Sequence, residues 1–188
     1  MKLSEGFQTL RMNRPFLPGK PKVKLVRSNG SKGTYLVAKR NISKGERVVI
    51  YWGHILDPDE PYRRWVRDQG EPSLYQSWSK YLRGLDSGEI VDGSQALTVT
   101  DIGLQGVYVN DIQMLNSTDV DDLRKYVQSE AKCNLTVVHS PEHPFPIYQA
   151  RRKIHKGEIL SVHYGLGYWL LQLGVPPQDI AGHINKIM

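Results

Sequence analysis

Tyr164 is the residue whose type and setting best suit chemistry. It lies in the stretch YQARRKIHKGEILSVHYGLGYW, residues 148–169, which reads as strand, turn, strand and aromatic cluster. Ile147, Tyr148 and Ala150 supply strand residues ahead of Lys156-Gly157, a turn pair in which glycine accepts the positive φ of a tight reversal. Ile159, Leu160 and Val162 then give a short apolar strand running into His163-Tyr164-Gly165. A tyrosine between a buried strand and two glycines, Gly165 and Gly167, is placed to bring a phenol into a cleft. An ordinary core tyrosine at a strand end is the competing reading.

Other reactive residue types are less well placed. His139 and His143 stand four apart, but Pro141 between them argues against the helix that would align them for zinc. Cys133 has no nucleophile signature around it and reads as a small buried thiol. Asp119, Asp121 and Asp122 lack the glycine and terminal glutamate of a calcium loop, so they read as a solvated helix start. No metal site is expected.

A length of 188 residues suits one domain with its own core. No run of about 18 apolar residues suggests a membrane span, and the N-terminus MKLSEGFQTLRMNRPF lacks the apolar core of a secretory signal. A non-secreted chain is therefore expected, and one cysteine allows no internal disulfide. The net charge of +6 is unevenly spread: residues 1–40 carry ten Lys/Arg against Glu5 alone, whereas residues 57–92 carry eight acids against five bases. The basic arm suits contact with nucleic acid, and the acidic stretch suits a basic peptide. A solvated tail is the plainer reading of the arm.

The elements that must position Tyr164 are short. Residues 1–22, with Pro15, Pro18 and Pro21, read as an irregular arm. Strands are expected at Val23–Val26, Tyr35–Ala38 and Val48–Trp52, and a partly helical insertion over 57–81. A hairpin follows over Leu82–Val91 with its turn at Asp86-Ser87-Gly88, then a helix over Asp119–Glu130 and a strand at Leu135–Val138. His139–Pro146, with three prolines, is expected to be a loop, and residues 170–188 a C-terminal helical segment. AKRNISKGERV (38–48) and ARRKIHKGEIL (150–160) share one pattern, which suggests a strand-turn-strand device used twice in one sheet system. The sum is a β-rich α+β fold.

Four segments, in this order and spacing, resemble the SET-domain protein lysine methyltransferases over roughly residues 24–58 and 81–169. GTYLVAKRNISKGERVVIYWGHIL (33–56) is similar to that family's Gly-x-Gly strand, Lys-Gly-Glu turn and Tyr-x-Gly strand. LDSGEIVDG (85–93) resembles its hairpin, MLNST (114–118) its Asn-His-Ser segment finished by Cys133-Asn134, and RRKIHKGEILSVHYG (151–165) its closing motif. The chain departs from the pattern at Tyr35 (second glycine), Ser117 (histidine) and His163 (aspartate), and in the sixteen residues from Ser117 to Lys132.

The resemblance implies a fold of small curved sheets with a knot-like crossing, in which the segment after Tyr164 passes a loop containing Asn116. The SET-like domain would cover residues 23–169. The resemblance also implies S-adenosylmethionine as methyl donor and a protein lysine as acceptor, with a histone tail as the default substrate. By that likeness Tyr164 and Tyr51 are catalytic. Lys32, Gly33, Thr34, Tyr35, Asn116, Ser117 and Tyr164 would contact the donor, and Tyr51, Tyr168 and Trp169 would wall the substrate channel. A nuclear location is expected if histones are the substrate, and a cytoplasmic one otherwise. A non-catalytic SET-like module that binds peptide or nucleic acid is the second reading.

Methyl transfer to an amine requires the neutral form. A lysine of pKa about 10.4 pays roughly 4.6 kcal/mol to be neutral at pH 7, a cost that aromatic walls and nearby positive charge reduce.

Overall fold

The computed structural model describes residues 20–28, 33–67, 79–84, 89–140 and 143–187. Lys32, most of the basic arm, the Asp86-Ser87-Gly88 turn and residues 68–78 of the insertion lie outside them. Strands β1 (Val23–Arg27) and β2 (Thr34–Ala38) pair antiparallel. β3 (Arg47–Ile50) leads to β4 (His54–Leu56) and helix α1 (Glu60–Arg67). β5 (Leu82–Gly84) and β6 (Ile90–Asp92) follow, and three 3-10 turns reach β7 (Asn110–Asp111). Helix α2 (Val120–Ser129), β8 (Leu135–Ser140), β9 (His143–Ala150), β10 (Ser161–Val162) and helices α3 (Leu166–Gln172) and α4 (Ile180–Asn185) complete the chain.

The sheets are small: β3-β9-β8, β4-β6-β5, β1-β2, and a parallel β7-β10 pair that joins residues about fifty apart in sequence. This is the β-rich α+β class expected. The main core joins Leu36, Ile42, Ile50, Ile147, Ile154 and Leu160, all at 0% exposure. Each such side chain contributes about 1.5–3 kcal/mol. A second cluster packs Leu123 and Tyr126 of α2 against Leu166 and Leu170 of α3, which sets the end of the chain. No described helix is long and apolar enough to cross a membrane.

One expectation is corrected. Residues 143–146 are not loop: β9 runs through Pro144 and Pro146 as the central strand of its sheet. Proline lacks an N–H but keeps its carbonyl, and the Pro146 carbonyl accepts from Tyr51 N at 2.9 Å. A register shift between Val138 and Ser140 accommodates the prolines on the β8 side.

The two similar segments are bonded to each other. Ile42 and Ile154 exchange both backbone hydrogen bonds at 2.9 Å. Gly45 (φ +84) donates to the Ala150 carbonyl, and Gly157 (φ +89) donates to the Ala38 carbonyl, both at 2.8 Å. Ala150 donates to the Glu46 carbonyl as Ala38 does to that of Glu158. Each copy also closes on itself. The Glu46 carboxylate accepts from Ser43 N and Arg40, and the Glu158 carboxylate from His155 N and Arg152. The result is a local two-fold arrangement.

The Ser43 N–H, with Arg40 and Lys22, holds the Glu46 carboxyl down at about 2, against an ordinary 4.5. A carboxyl lowered on folding stabilises above its unfolded pKa and loses that contribution as pH falls toward the folded value. Glu46→Gln should therefore destabilise by about 1 kcal/mol near pH 7, roughly 2–4 °C in the thermal midpoint. The gap from wild type should close between pH 4.5 and 2. A gap that persists at the acid end would rule this account out.

Candidate functional site

Tyr164 follows β10, and Gly165 at φ +92 then turns the chain from that strand into α3. A side chain at this φ would be strained, so glycine fixes the direction in which Tyr168 and Trp169 arrive. One carboxylate holds the junction. Asp111 Oδ2, on β7, accepts from Tyr126 Oη (2.5 Å), Trp169 Nε1 (2.7 Å) and Tyr164 N (3.1 Å). Gly165 N in turn donates to Tyr126 Oη at 3.2 Å. Asp111 and Tyr126 bracket the stretch that contains Asn116, so the chain after β10 crosses that stretch closely. Buried Asn134 fastens the approach, donating to the Ile159 carbonyl (2.8 Å) and accepting from Ser161 N (2.9 Å).

A cleft of about 390 Å³ opens beside this junction. Tyr51, Tyr164 and Tyr168 line it from three elements, with Ile90, Val107 and Leu171 as apolar wall. Tyr164 Oη donates to the Val109 carbonyl at 2.7 Å, and Tyr51 Oη donates to the Tyr81 carbonyl at 2.6 Å. Both phenol protons are thus committed to backbone, and each oxygen keeps its lone pairs. Burial pushes both phenols well above their ordinary pKa of 10, with neighbouring tyrosines adding to the effect. They are neutral hydroxyls near neutral pH and cannot serve as phenolate bases. Tyr168 is pushed up to about 12, first by burial and then by Asp111 and Tyr81.

The residues expected to act are brought together in part. Tyr51, Tyr164 and Tyr168 share the cleft. Trp169 does not line it but stacks on Tyr164 (centroids 6.4 Å, 19° between planes) and is anchored by Asp111. Gly33, Thr34, Tyr35, Asn116 and Ser117 are also absent from its lining. Gly33 sits at φ +58 with nothing within 4 Å of where a Cβ would stand, and Asn116 is exposed with no hydrogen bond among the described residues. Ser117 Oγ donates to Asp122 at 2.6 Å.

Sequence reasoning misses several residues. Along the chain Asp111 is one acid in an apolar-laced stretch, and Tyr126 is one more position of a charged helix. Tyr148, a strand residue by its pattern, is fully buried and stands edge-on to Tyr51 at 6.2 Å, with the Arg83 guanidinium 5.3 Å from its ring centre. Gly93 is required by close approach, since a Cβ there would lie 2.8 Å from the Tyr51 ring. Arg83 and Lys80 supply charge that the acidic count over 57–92 conceals. Asp57 and Glu60 of that stretch are instead paired with Arg63 at 3.1 and 3.3 Å. Among the described residues no group of three or more His, Cys, Asp or Glu could hold a metal ion.

The sequence matches no family model and no curated protein. Solved structures do match. One is ctPRC2 in an autoinhibited conformation bound to S-adenosylmethionine, 23% identical with a TM-score of 0.55, over 86% of this chain and 17% of that one. A second is ctPRC2 in complex with H3K27me3 and H3K27M, at 24% identity and a TM-score of 0.50, over 77% and 14%. The crystal structure of the Chaetomium thermophilum polycomb repressive complex 2 matches at 25% and 0.49, over 76% and 15%. The chain thus spans about one sixth of the length of the chains it matches. At these identities the likeness shows the fold alone, and that fold is SET-like.

Removal of Asp111 tests the junction. Asp111→Ala leaves three donors without their acceptor and should cost roughly 3 kcal/mol in urea unfolding, whereas Asp111→Asn, which keeps one accepting oxygen, should cost about half of that. Losses below about 1 kcal/mol for both variants would mean that the junction does not depend on Asp111.

Proposed function

We propose that this chain is a protein lysine N-methyltransferase that uses S-adenosylmethionine, with a histone tail as the first substrate class to try. The observation that carries the reading is the pair of cleft phenols whose protons are already donated to the Val109 and Tyr81 carbonyls. Such oxygens can only accept. They can hold the N–H bonds of a neutral amine while leaving its lone pair free, which is the arrangement a nucleophilic nitrogen needs. A fold shared with chains bound to S-adenosylmethionine and to H3K27me3 supports the same reading.

S-adenosylmethionine, when bound, supplies a methyl group on a sulfonium, which leaves as a neutral thioether as the amine takes the methyl. The open backbone at Gly33 and the unengaged amide of Asn116 fit a donor-binding role, with Lys32, Thr34, Tyr35 and Ser117 as further candidates. Tyr164 and Tyr51 orient the amine. Tyr168 closes the mouth against water, and Trp169 stacks behind Tyr164 to fix its ring. The proton given up by the methylated nitrogen goes to solvent, since no phenolate is at hand.

The test is transfer of labelled methyl from S-adenosylmethionine to core histones, with cofactor binding measured alongside. Tyr164→Phe removes the accepting oxygen and should lower kcat on the order of a hundredfold or more while cofactor affinity stays within a few fold. Equal transfer by wild type and variant would refute the role of Tyr164. A wild type that neither binds the cofactor nor transfers methyl would leave a non-catalytic binding module as the reading.

A further inference from the structure

The cleft carries a charge pattern at odds with a simple cation receptor. Its described lining includes two cations, Lys80 and Arg83, and no carboxylate. The Lys80 ammonium lies 5.0 Å from the centre of the Tyr81 ring, and the Arg83 guanidinium lies 5.3 Å from that of Tyr148. Among the described residues neither makes an ion pair. Arg83 also lines a smaller cavity of about 200 Å³, together with Glu130 and His163. Arg83 is thus half-buried, with its guanidinium against the Tyr148 ring and in the lining of both spaces.

We infer that Arg83, seconded by Lys80, makes this cleft a receptor for the neutral rather than the protonated form of a primary amine. The inference rests on the reading that a lysine side chain enters here. Among the described residues, the carboxylates that act on the cleft tyrosines, Asp92 and Asp111, stand outside the cleft lining. Asp111 accepts three hydrogen bonds on one oxygen, the Asp92 carboxylate accepts from Ser94 N at 2.9 Å, and Glu130 pairs with Arg151 at 3.7 Å. The phenols of Tyr51, Tyr148, Tyr164 and Tyr168 are neutral and supply no compensating charge. His163 stacks on Tyr126 at 4.2 Å and lines the smaller cavity, not the cleft. An ammonium brought between these walls meets like charge in a partly desolvated space. For two unit charges about 7 Å apart at an effective dielectric near 20, that repulsion disfavours the protonated form by on the order of tenfold or more. The arginine thereby does in part what the reaction requires, removing the proton before methyl transfer, by electrostatics rather than through a base.

The prediction is a gain of binding, which misfolding cannot imitate. The probe is n-butylamine, a mimic of the lysine side chain, titrated against the full chain without cofactor. Arg83→Met should bind it about tenfold more tightly than wild type near pH 7, because the protonated amine is no longer repelled, and the two should converge as pH rises toward the pKa of the amine. Arg83→Lys, which keeps the charge, should behave as wild type, and Arg83→Gln should follow Arg83→Met. Equal or weaker binding by both uncharged variants overturns the inference, including the alternative in which Arg83 anchors an acidic group of the substrate. Butylamine that gains affinity in this way while the wild type neither binds S-adenosylmethionine nor transfers methyl would sink the proposed activity alone. Methyl transfer with unchanged butylamine binding would sink the role of Arg83 alone.

Discussion

One oxygen atom fixes the geometry of the candidate site. Asp111 Oδ2 takes hydrogen bonds from the α2 tyrosine, from the indole of α3 and from the backbone of Tyr164 itself. Three elements are thereby tied to a common point. Because β7 carries Asp111 and also pairs with β10, the strand that delivers Tyr164 and the carboxylate that receives it cannot move independently. The cleft tyrosines then inherit their positions. Tyr164 hangs from this junction, while Tyr51 is held by its own backbone bond to Pro146 and by the space that Gly93 leaves beside its ring. A phenol can orient a reactant only as well as its ring is held, and here both rings are fixed at the hydroxyl as well as at the backbone.

Much of this is legible from the residues. The strand ending at Tyr164, the paired Lys-Gly-Glu turns and the short strands around them follow from β-branched runs punctuated by glycine, which are local signals. Tyr51, Tyr164 and Tyr168 are marked by their motifs and share one cleft. What cannot be read along the chain is whatever depends on contacts between distant segments. The role of Asp111 exists only because Tyr126 and Trp169 arrive from 15 and 58 residues away. The strand through Pro144 and Pro146 is hidden because proline is normally a sign against a central strand, and only the accepting carbonyl and the nearby register shift make it tolerable.

Charge shows the same limit more sharply. Counted along the chain, residues 57–92 are acidic and look suited to a basic partner. Folded, Asp57 and Glu60 meet Arg63, while the surface that actually faces the tyrosines shows Lys80 and Arg83. A tally by segment averages over faces that never see the same ligand. The quantity that matters at a site is the potential at one point, set by the few charges that line it and by how well each is already neutralised.

The two-fold pairing of residues 38–46 with 150–158 has a consequence for how the molecule comes into being. Each copy completes the other, and the partners of Ala38, Ile42 and Gly45 lie more than a hundred residues downstream. A ribosome must therefore release residues 150–158 before the first turn can find its mate. Until then β2 and β3 wait with half their neighbours missing, and the entropy of closing so long a loop must be met at once. Such a chain is poorly suited to vectorial, piecewise folding. Its nascent form should lean on chaperones or on slow synthesis far more than a helical bundle of the same length.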